Sequence, residues 1–455
     1  MPAYRRRSFE EMPVEQDLGD QLAYQRALQA VIWGMPAVSM ATLREATLRD
    51  LGARYGDVVY MSGLPAPRHE LLTASDQAPY VVVMLNLRAG PFVLEVPAAT
   101  AGVCFQGTAV DAWMVPIADI GPRGDDDGAG GKFLFLPPGY AASPGRDYLP
   151  VPSKTYSVHI ALRPLAISGL EEAVAYSKTL RSYPLAQAGG AAPARYIDAY
   201  HKYWRTLPVY DMSFFELLAH TLSDEPPQEK DTAMFGLLAS IGIRRGAPFM
   251  PEGRLARALE LAVRDGRRQM EHYFETPGLG TAPYRPEGHW LVGKTTPQTC
   301  GTFVVDGRLL VDERAGGYSY WTRFWAKKPT DGMFALRTLR DAAGEPLRGE
   351  RLYRLRVPAH VPARESWSAT VYGKETKAFL HNELDRVALS SHDRARMAHN
   401  PDGSCDLYFG PEAPPGRESN WVPADRDFFV MFRLYGAERP VYDRVFSLPD
   451  LEWVR

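Results

Sequence analysis

Trp367-Ser-Ala-Thr-Val-Tyr372 and Phe429-Val-Met-Phe-Arg-Leu-Tyr435 read as alternating β-strands, and the turn-rich blocks Asn400-Pro-Asp-Gly-Ser404 and Asn420-Trp421-Val-Pro423 between them read as strand entries. Each block sets a polar group on an apolar frame, which points to a β-domain able to hold a site. Arg433 sits in the middle of its strand. An unpaired guanidinium in so apolar a setting is costly, so Arg433 needs a partner if its face is buried. By residue type, Tyr372 and Asn420 are the nearest candidates.

Working outward, the same short-strand reading recurs from Tyr80 to Leu165. It covers Val81–Leu87, Phe92–Val96, Ala112–Ile117, Phe133–Leu136 and Thr155–Leu162, separated by Gly, Pro and Asp turns. Residues 18–50 are helical by contrast, with Tyr24, Ala27, Leu28, Val31 and Met35 on one stripe. The Gly34-Met-Pro36 step is expected to end or kink that helix. Residues 166–275 return to helical patterning, best marked by Leu255, Leu259, Ala262, Gly266 and Tyr273, and Asp224-Glu-Pro-Pro-Gln228 divides them into groups. After Gly278 the β-pattern resumes and runs almost to the end, and its Gly/Pro-rich segment 276–330 also admits a long crossing loop between the lobes. The expected fold is α+β, mainly β: two antiparallel β-sandwich or jelly-roll-like lobes bridged by a helical segment, with divisions at 1–165, 166–329 and 330–455.

A chain of 455 residues is long for one core, which agrees with two lobes. Its net charge of -2 provides no field to steer nucleic acid or an anionic membrane surface, so neither is an expected partner. Cys104, Cys300 and Cys405 lie far apart without CxxC spacing, which supports neither a disulfide framework nor a zinc knuckle. Arg5-Arg6-Arg7 is followed by Glu10-Glu11-Met-Pro-Val-Glu15 and not by an apolar run, so no export signal is complete. A soluble, cytoplasmic protein is expected.

Gly288-His-Trp-Leu-Val-Gly293-Lys294-Thr295 matches the phosphate-cradling GxxxxGK[ST] pattern. That cradle needs an apolar strand before it and a helix after it, and the prolines at 283, 286 and 297 deny both, so the match reads as accidental. Asp125-Asp126-Asp127 lies in a glycine-rich loop but lacks the alternating ligands of a calcium site, and reads as a solvated hairpin loop. His360, His381, His392 and His399 show no compact metal-ligand spacing, so no metal is expected. His159 shares a strand face with Ser157 and Arg163, opposite Tyr156, Val158, Ile160 and Leu162. Its face is open to solvent or lines a cavity. No nucleophile elbow, Cys/His signature or dinucleotide loop is present.

In order, several blocks resemble a two-domain family known as domains of unknown function 1254 (N-terminal) and 1214 (C-terminal). The C-terminal resemblance rests on Gly344–Gly349, Tyr353–Pro358, Trp367–Tyr372, Asn400–Pro411, Ser419–Trp421 and Arg433–Tyr435. The N-terminal one rests on Trp33–Pro36, Gly90–Pro97, Asp119–Gly121, Gly130–Tyr140 and Arg163. The resemblance implies two β-lobes bridged by helices and supplies no reaction. Similar chains usually carry an Asn-Asp-Thr-type run before the first core strand, where this one has Thr73-Ala-Ser-Asp76-Gln77-Ala-Pro-Tyr80.

Two functional readings follow. The first is a cofactor-independent enzyme, of hydrolase, lyase or isomerase type, acting on a small, partly apolar molecule in a pocket of the β-lobes. Tyr372, Asn420, Arg433 and Arg163 would hold the ligand, and Asp402 or His159 would move the proton. The second is a non-catalytic binding or assembly protein whose Trp, Tyr and Arg residues form a ligand platform or a homo-oligomer interface. Residue by residue, a structural role competes with both: Asn400 and Asp402 are turn formers, and a buried Trp-Tyr-Arg set can pin a sandwich.

Overall fold

The computed structural model describes residues 17–142, 145–190, 193–278, 281–293, 301–320 (side chains to 318), 324, 326–328 and 333–454. The N-terminal lobe has two sheets. The larger runs in the order Tyr196–Asp198, Val58–Tyr60, Val81–Asn86, Ser157–Ala166, Val103–Asp111, Pro116–Ile120. The smaller runs Tyr148–Pro152, Gly131–Leu136, Phe92–Val96, Arg181–Pro184. Alternation decides which side chains meet: Val81, Val83, Leu85, Val158, Ile160 and Leu162 turn inward onto Leu94, Phe133 and Phe135 of the smaller sheet.

The C-terminal lobe repeats the plan. Its larger sheet is ordered Thr281–Pro283, Leu291–Gly293, Met333–Thr338, Phe428–Ala437, Ala363–Gly373, Ala388–Ser390. Its smaller one is Trp421–Pro423, Cys405–Gly410, Leu352–Val357, Glu452–Val454. Trp367, Ala369, Val371, Val430, Phe432 and Leu434 face this lobe's core together with Tyr353, Leu355, Leu407 and Phe409. The sheets are antiparallel apart from three parallel edge pairs, which the sequence pattern did not indicate.

Both lobes extend beyond the boundaries expected from the sequence. Arg181–Pro184 and Tyr196–Asp198 complete N-terminal sheets beyond residue 165. Thr281–Pro283 and Leu291–Gly293 begin the C-terminal sheet within the segment read as a crossing loop. Strands this short leave no periodicity to read.

Helix Leu18–Arg49 is the spine of the molecule. Asp17 caps it, accepting from the Gly19 amide, and it continues through Pro36 and does not end there. A mid-helix proline costs about 3 kcal/mol. Here the residues around it, Trp33, Met35, Ala37 and Val38, are buried in the same core as helices Ser213–Asp224 and Gly253–Glu275, and that packing offsets the lost hydrogen bond. The core also takes in Tyr372, Phe379, Phe429 and Met431 of the C-terminal lobe. The helices therefore join the lobes as one packed unit. Among the described residues, no helix is long and apolar enough to cross a membrane.

Candidate functional site

The strand alternation that fills the two sandwich cores leaves each larger sheet a second face. On the N-terminal sheet that face carries Val82, Gln106, Thr108, Ala161 and Arg163; on the C-terminal sheet it carries Ala335, Met431 and Arg433. Both faces, with Leu43 of the spine helix and the segment Leu71–Ser75, line one cavity of about 630 Å³ between the lobes. Small side chains leave it room. In the sheet register Arg433 is flanked by Ala335 and Ser368, and Thr108 lies opposite Ala161.

Arg433 is 3% exposed, and its donors are directed to neutral oxygens. Nη1 donates to the Tyr372 hydroxyl at 2.6 Å and Nη2 to the Thr73 carbonyl at 2.7 Å. The Tyr372 hydroxyl donates in turn to the Ala74 carbonyl, and its ring is stacked between Phe379 and Phe429. The Ser75 hydroxyl bonds the Tyr435 hydroxyl at 2.6 Å, and the Thr73 amide donates to the Lys377 carbonyl at 2.8 Å. The stretch Thr73–Ser75 is thus the strap by which the N-terminal lobe holds the C-terminal sheet. Burial alone would lower the Arg433 pKa, but the neighbouring Tyr372 and Tyr435 oxygens raise it. Burial raises those of Tyr372 and Tyr435, so both hydroxyls stay neutral beside the cation. Burial likewise pushes the half-buried Asp76 carboxyl up, against the Gln77 amide, its own backbone and Arg433.

The expected convergence of Tyr372 with Arg433 is present, but Asn420 is not part of it. Asn420 is fully buried elsewhere, its amide donating to the Ala398 and Asp406 carbonyls at 2.9 Å each and its carbonyl accepting from the Ala398 amide at 2.8 Å. It pins a turn to strand Cys405–Gly410. Asp402 is also remote, in an exposed turn where Ser404 and Arg356 hold its carboxyl at about 2. His159 is 2% exposed in the sheet, opposite Met84 and Val110, on the face that carries Ala161 and Arg163 but outside the cavity lining. Arg163 does line the cavity.

The reading missed other lining groups. Asp119 is buried and fully engaged: Oδ1 accepts from the Thr108 hydroxyl at 3.1 Å and the Lys327 amide at 2.9 Å, and Oδ2 accepts from the Lys328 amide at 2.8 Å. Arg123 lies 3.9 Å from Glu365 across the lobes. The buried Trp204 keeps an indole N–H without an acceptor among the described residues. Spacing alone could not have marked these residues, because their shared environment is made by sheet packing.

The acidic loop is braced and not simply solvated. Asp126 accepts from the Gly121 and Gly130 amides, while Asp125 pairs with Lys327 and Lys328, which hold its pKa down against partial burial. Among the described residues no group of His, Cys, Asp or Glu could hold a metal. Of the phosphate-loop match, Leu291–Gly293 is a strand; Lys294 and Thr295 lie outside the described residues, as does Cys300.

Two family models match the chain: protein of unknown function (DUF1254) over residues 56–184 and protein of unknown function (DUF1214) over residues 332–439. The chain belongs to the family that joins these two domains. The cavity is built between them, with the strap and Arg163 on the DUF1254 side and Arg433 on the DUF1214 side. Among solved structures, the VPA0106 protein from Vibrio parahaemolyticus is similar over 95% of this chain and 100% of its own, at 18% identity and a TM-score of 0.60, which supports the shared fold. An uncharacterised protein from Burkholderia cenocepacia aligns over 96% of this chain and 94% of its own, at 11% identity and a TM-score of 0.41. No curated protein matches the chain.

Proposed function

We propose that this protein binds a small, partly apolar molecule in the cavity between its two lobes. The observation that carries the reading is the convergence of both larger sheets on one cavity of about 630 Å³. Its size is that of a ligand site, and its lining is the usual mixture of apolar walls and a few placed polar groups. Arg163 and Arg433 are the expected ligand-binding residues within this lining, and Arg433 with Tyr372 holds the strap that forms one wall.

Binding is a better reading than catalysis because neither residue expected to move a proton is at the cavity. His159 is packed inside the sheet, and Asp402 stays ionised in a distant turn. The test is calorimetric titration with a neutral probe, 4-phenylbutan-1-ol, against the native protein and Ala161→Phe, which fills the cavity from its wall. Saturable binding that Ala161→Phe abolishes, with its circular dichroism unchanged, is expected. No binding to the native protein, or equal binding to a folded Ala161→Phe, overturns the proposal.

A further inference from the structure

Resting on that cavity-binding reading, we infer that the ligand is an organic carboxylate whose acid group is received by Arg163 and whose apolar body fills the rest of the cavity. The inference comes from matching donors with acceptors around the lining. Apart from the Gln106 amide, the carboxylate and hydroxyl acceptors are already engaged. Asp119 accepts from Thr108 and from the amides of Lys327 and Lys328; the Thr73 carbonyl accepts from Arg433; the Ser75 hydroxyl is bonded to Tyr435, and the Tyr80 hydroxyl accepts from the Ser75 amide.

What remains is a surplus of donors. Among the described residues the half-buried Arg163 guanidinium has no hydrogen bond or ion pair, and the Trp204 indole N–H has no acceptor. The charge balance has the same sign. Arg433 is a buried cation bonded only to neutral groups, and its charge and that of Arg163 both act on the Tyr435 hydroxyl. A half-buried guanidinium without a counter-charge is unfavourable, and its planar fork fits a carboxylate through paired N–H bonds.

A carboxylate fits better than a phosphate ester. Arg433 has directed its bonds to Tyr372 and Thr73, Arg123 is paired with Glu365 at 3.9 Å and Arg444 donates to the Pro283 carbonyl at 3.3 Å, so among the described residues Arg163 is the one lining guanidinium without a partner, and the walls Leu43, Leu71, Val82 and Met431 are apolar. The apolar remainder of the cavity then takes the body of the molecule.

The experiment compares 4-phenylbutanoate, 4-phenylbutan-1-ol and 4-phenylbutyl phosphate by calorimetry on the native protein and on Arg163→Gln. The acid is expected to bind at least about tenfold more tightly than the alcohol, the ratio a charge-assisted pair provides. Arg163→Gln should remove that preference while keeping alcohol binding, which also shows that the variant is folded. Equal binding of acid and alcohol by the native protein overturns the carboxylate inference and leaves the cavity reading standing. A preference that survives Arg163→Gln, or tighter binding of the phosphate than of the acid, overturns it too. If neither acid nor alcohol binds, the cavity reading itself fails.

Discussion

Arg433 and Tyr372 form a buried pair, guanidinium Nη1 to phenol oxygen at 2.6 Å, across neighbouring strands of the C-terminal sheet, and each passes a further hydrogen bond to the N-terminal lobe. Arg433 reaches the Thr73 carbonyl and Tyr372 the Ala74 carbonyl. Adjacent peptide groups of the strap are thus held by adjacent side chains of the sheet. The pair therefore fixes one wall of the cavity as well as the docking of the lobes.

Arg433→Met should be destabilising by about 3 kcal/mol, since two buried hydrogen bonds from a charged donor are lost at roughly 1.5 kcal/mol each. Tyr372→Phe should lose about half as much, and the double variant less than the sum of the singles, because both changes break the same network. Urea unfolding of the four proteins measures the coupling. Additive losses would mean that the pair does not act as a unit.

Asp111 is buried at the end of strand Val103–Asp111, its Oδ1 accepting from the Trp113 and Val115 amides at 2.8 and 2.9 Å, yet desolvation raises its pKa to about 6. Between its unfolded value near 3.8 and the folded value, the folded state holds more protons than the unfolded one. Stability contributed by this group is therefore present at low pH and declines as pH rises to about 6, by an amount on the order of 2–3 kcal/mol. Asp111→Asn, whose carbonyl can accept the same amides, should remove this decline. Denaturation at pH 4.5 and pH 8 for both proteins checks it, and identical pH profiles would refute the assignment.

Much of the architecture was legible because β-alternation is local. Val158, Ile160 and Leu162 do face the sandwich core, and Arg163 lines the cavity, whereas His159 on the same face is packed in the sheet, neither open to solvent nor in the lining. The site was legible only in part. Arg433 could be singled out as a cation in an apolar strand, but its lobe-crossing partner Thr73 is 360 residues away, beyond the reach of any periodicity. Asn420 was matched to Arg433 by residue type, whereas its actual partners are the backbone of Ala398 and Asp406. Pro36 does not end its helix for a related reason: the break rule is local, and the packing that overrides it comes from distant helices.

Asn420 and Asp402 should prove structural in the same experiment. Asn420→Ala leaves the amide and carbonyl of Ala398 and the carbonyl of Asp406 without their side-chain partner, a loss of about 3 kcal/mol. Asp402→Asn acts on an exposed turn whose carboxyl is held at about 2 by Ser404 and Arg356. The stabilisation from that depressed value is complete above the unfolded carboxyl range and disappears only as pH falls through about 2. Neither variant should change the affinity for 4-phenylbutanoate at pH 7. A tenfold loss in either would return that residue to the site.

The spine packs against helix Gly253–Glu275 at Gly266, where a Cβ would lie 2.5 Å from Val31 Cγ1 and 3.0 Å from Val31 Cβ. Val31 is fully buried, and its branched side chain has essentially one rotamer in a helix, so it cannot swing aside. Gly266→Ala gains about 1 kcal/mol of helix propensity but forces overpacking that typically costs about 1–3 kcal/mol, so a net loss of about 1 kcal/mol is expected. Adding Val31→Ala should then relieve the clash, making the double variant more stable than the sum of the two single effects. A rise in thermal stability of Gly266→Ala alone would show that the two helices can separate without loss and are not what holds the lobes together.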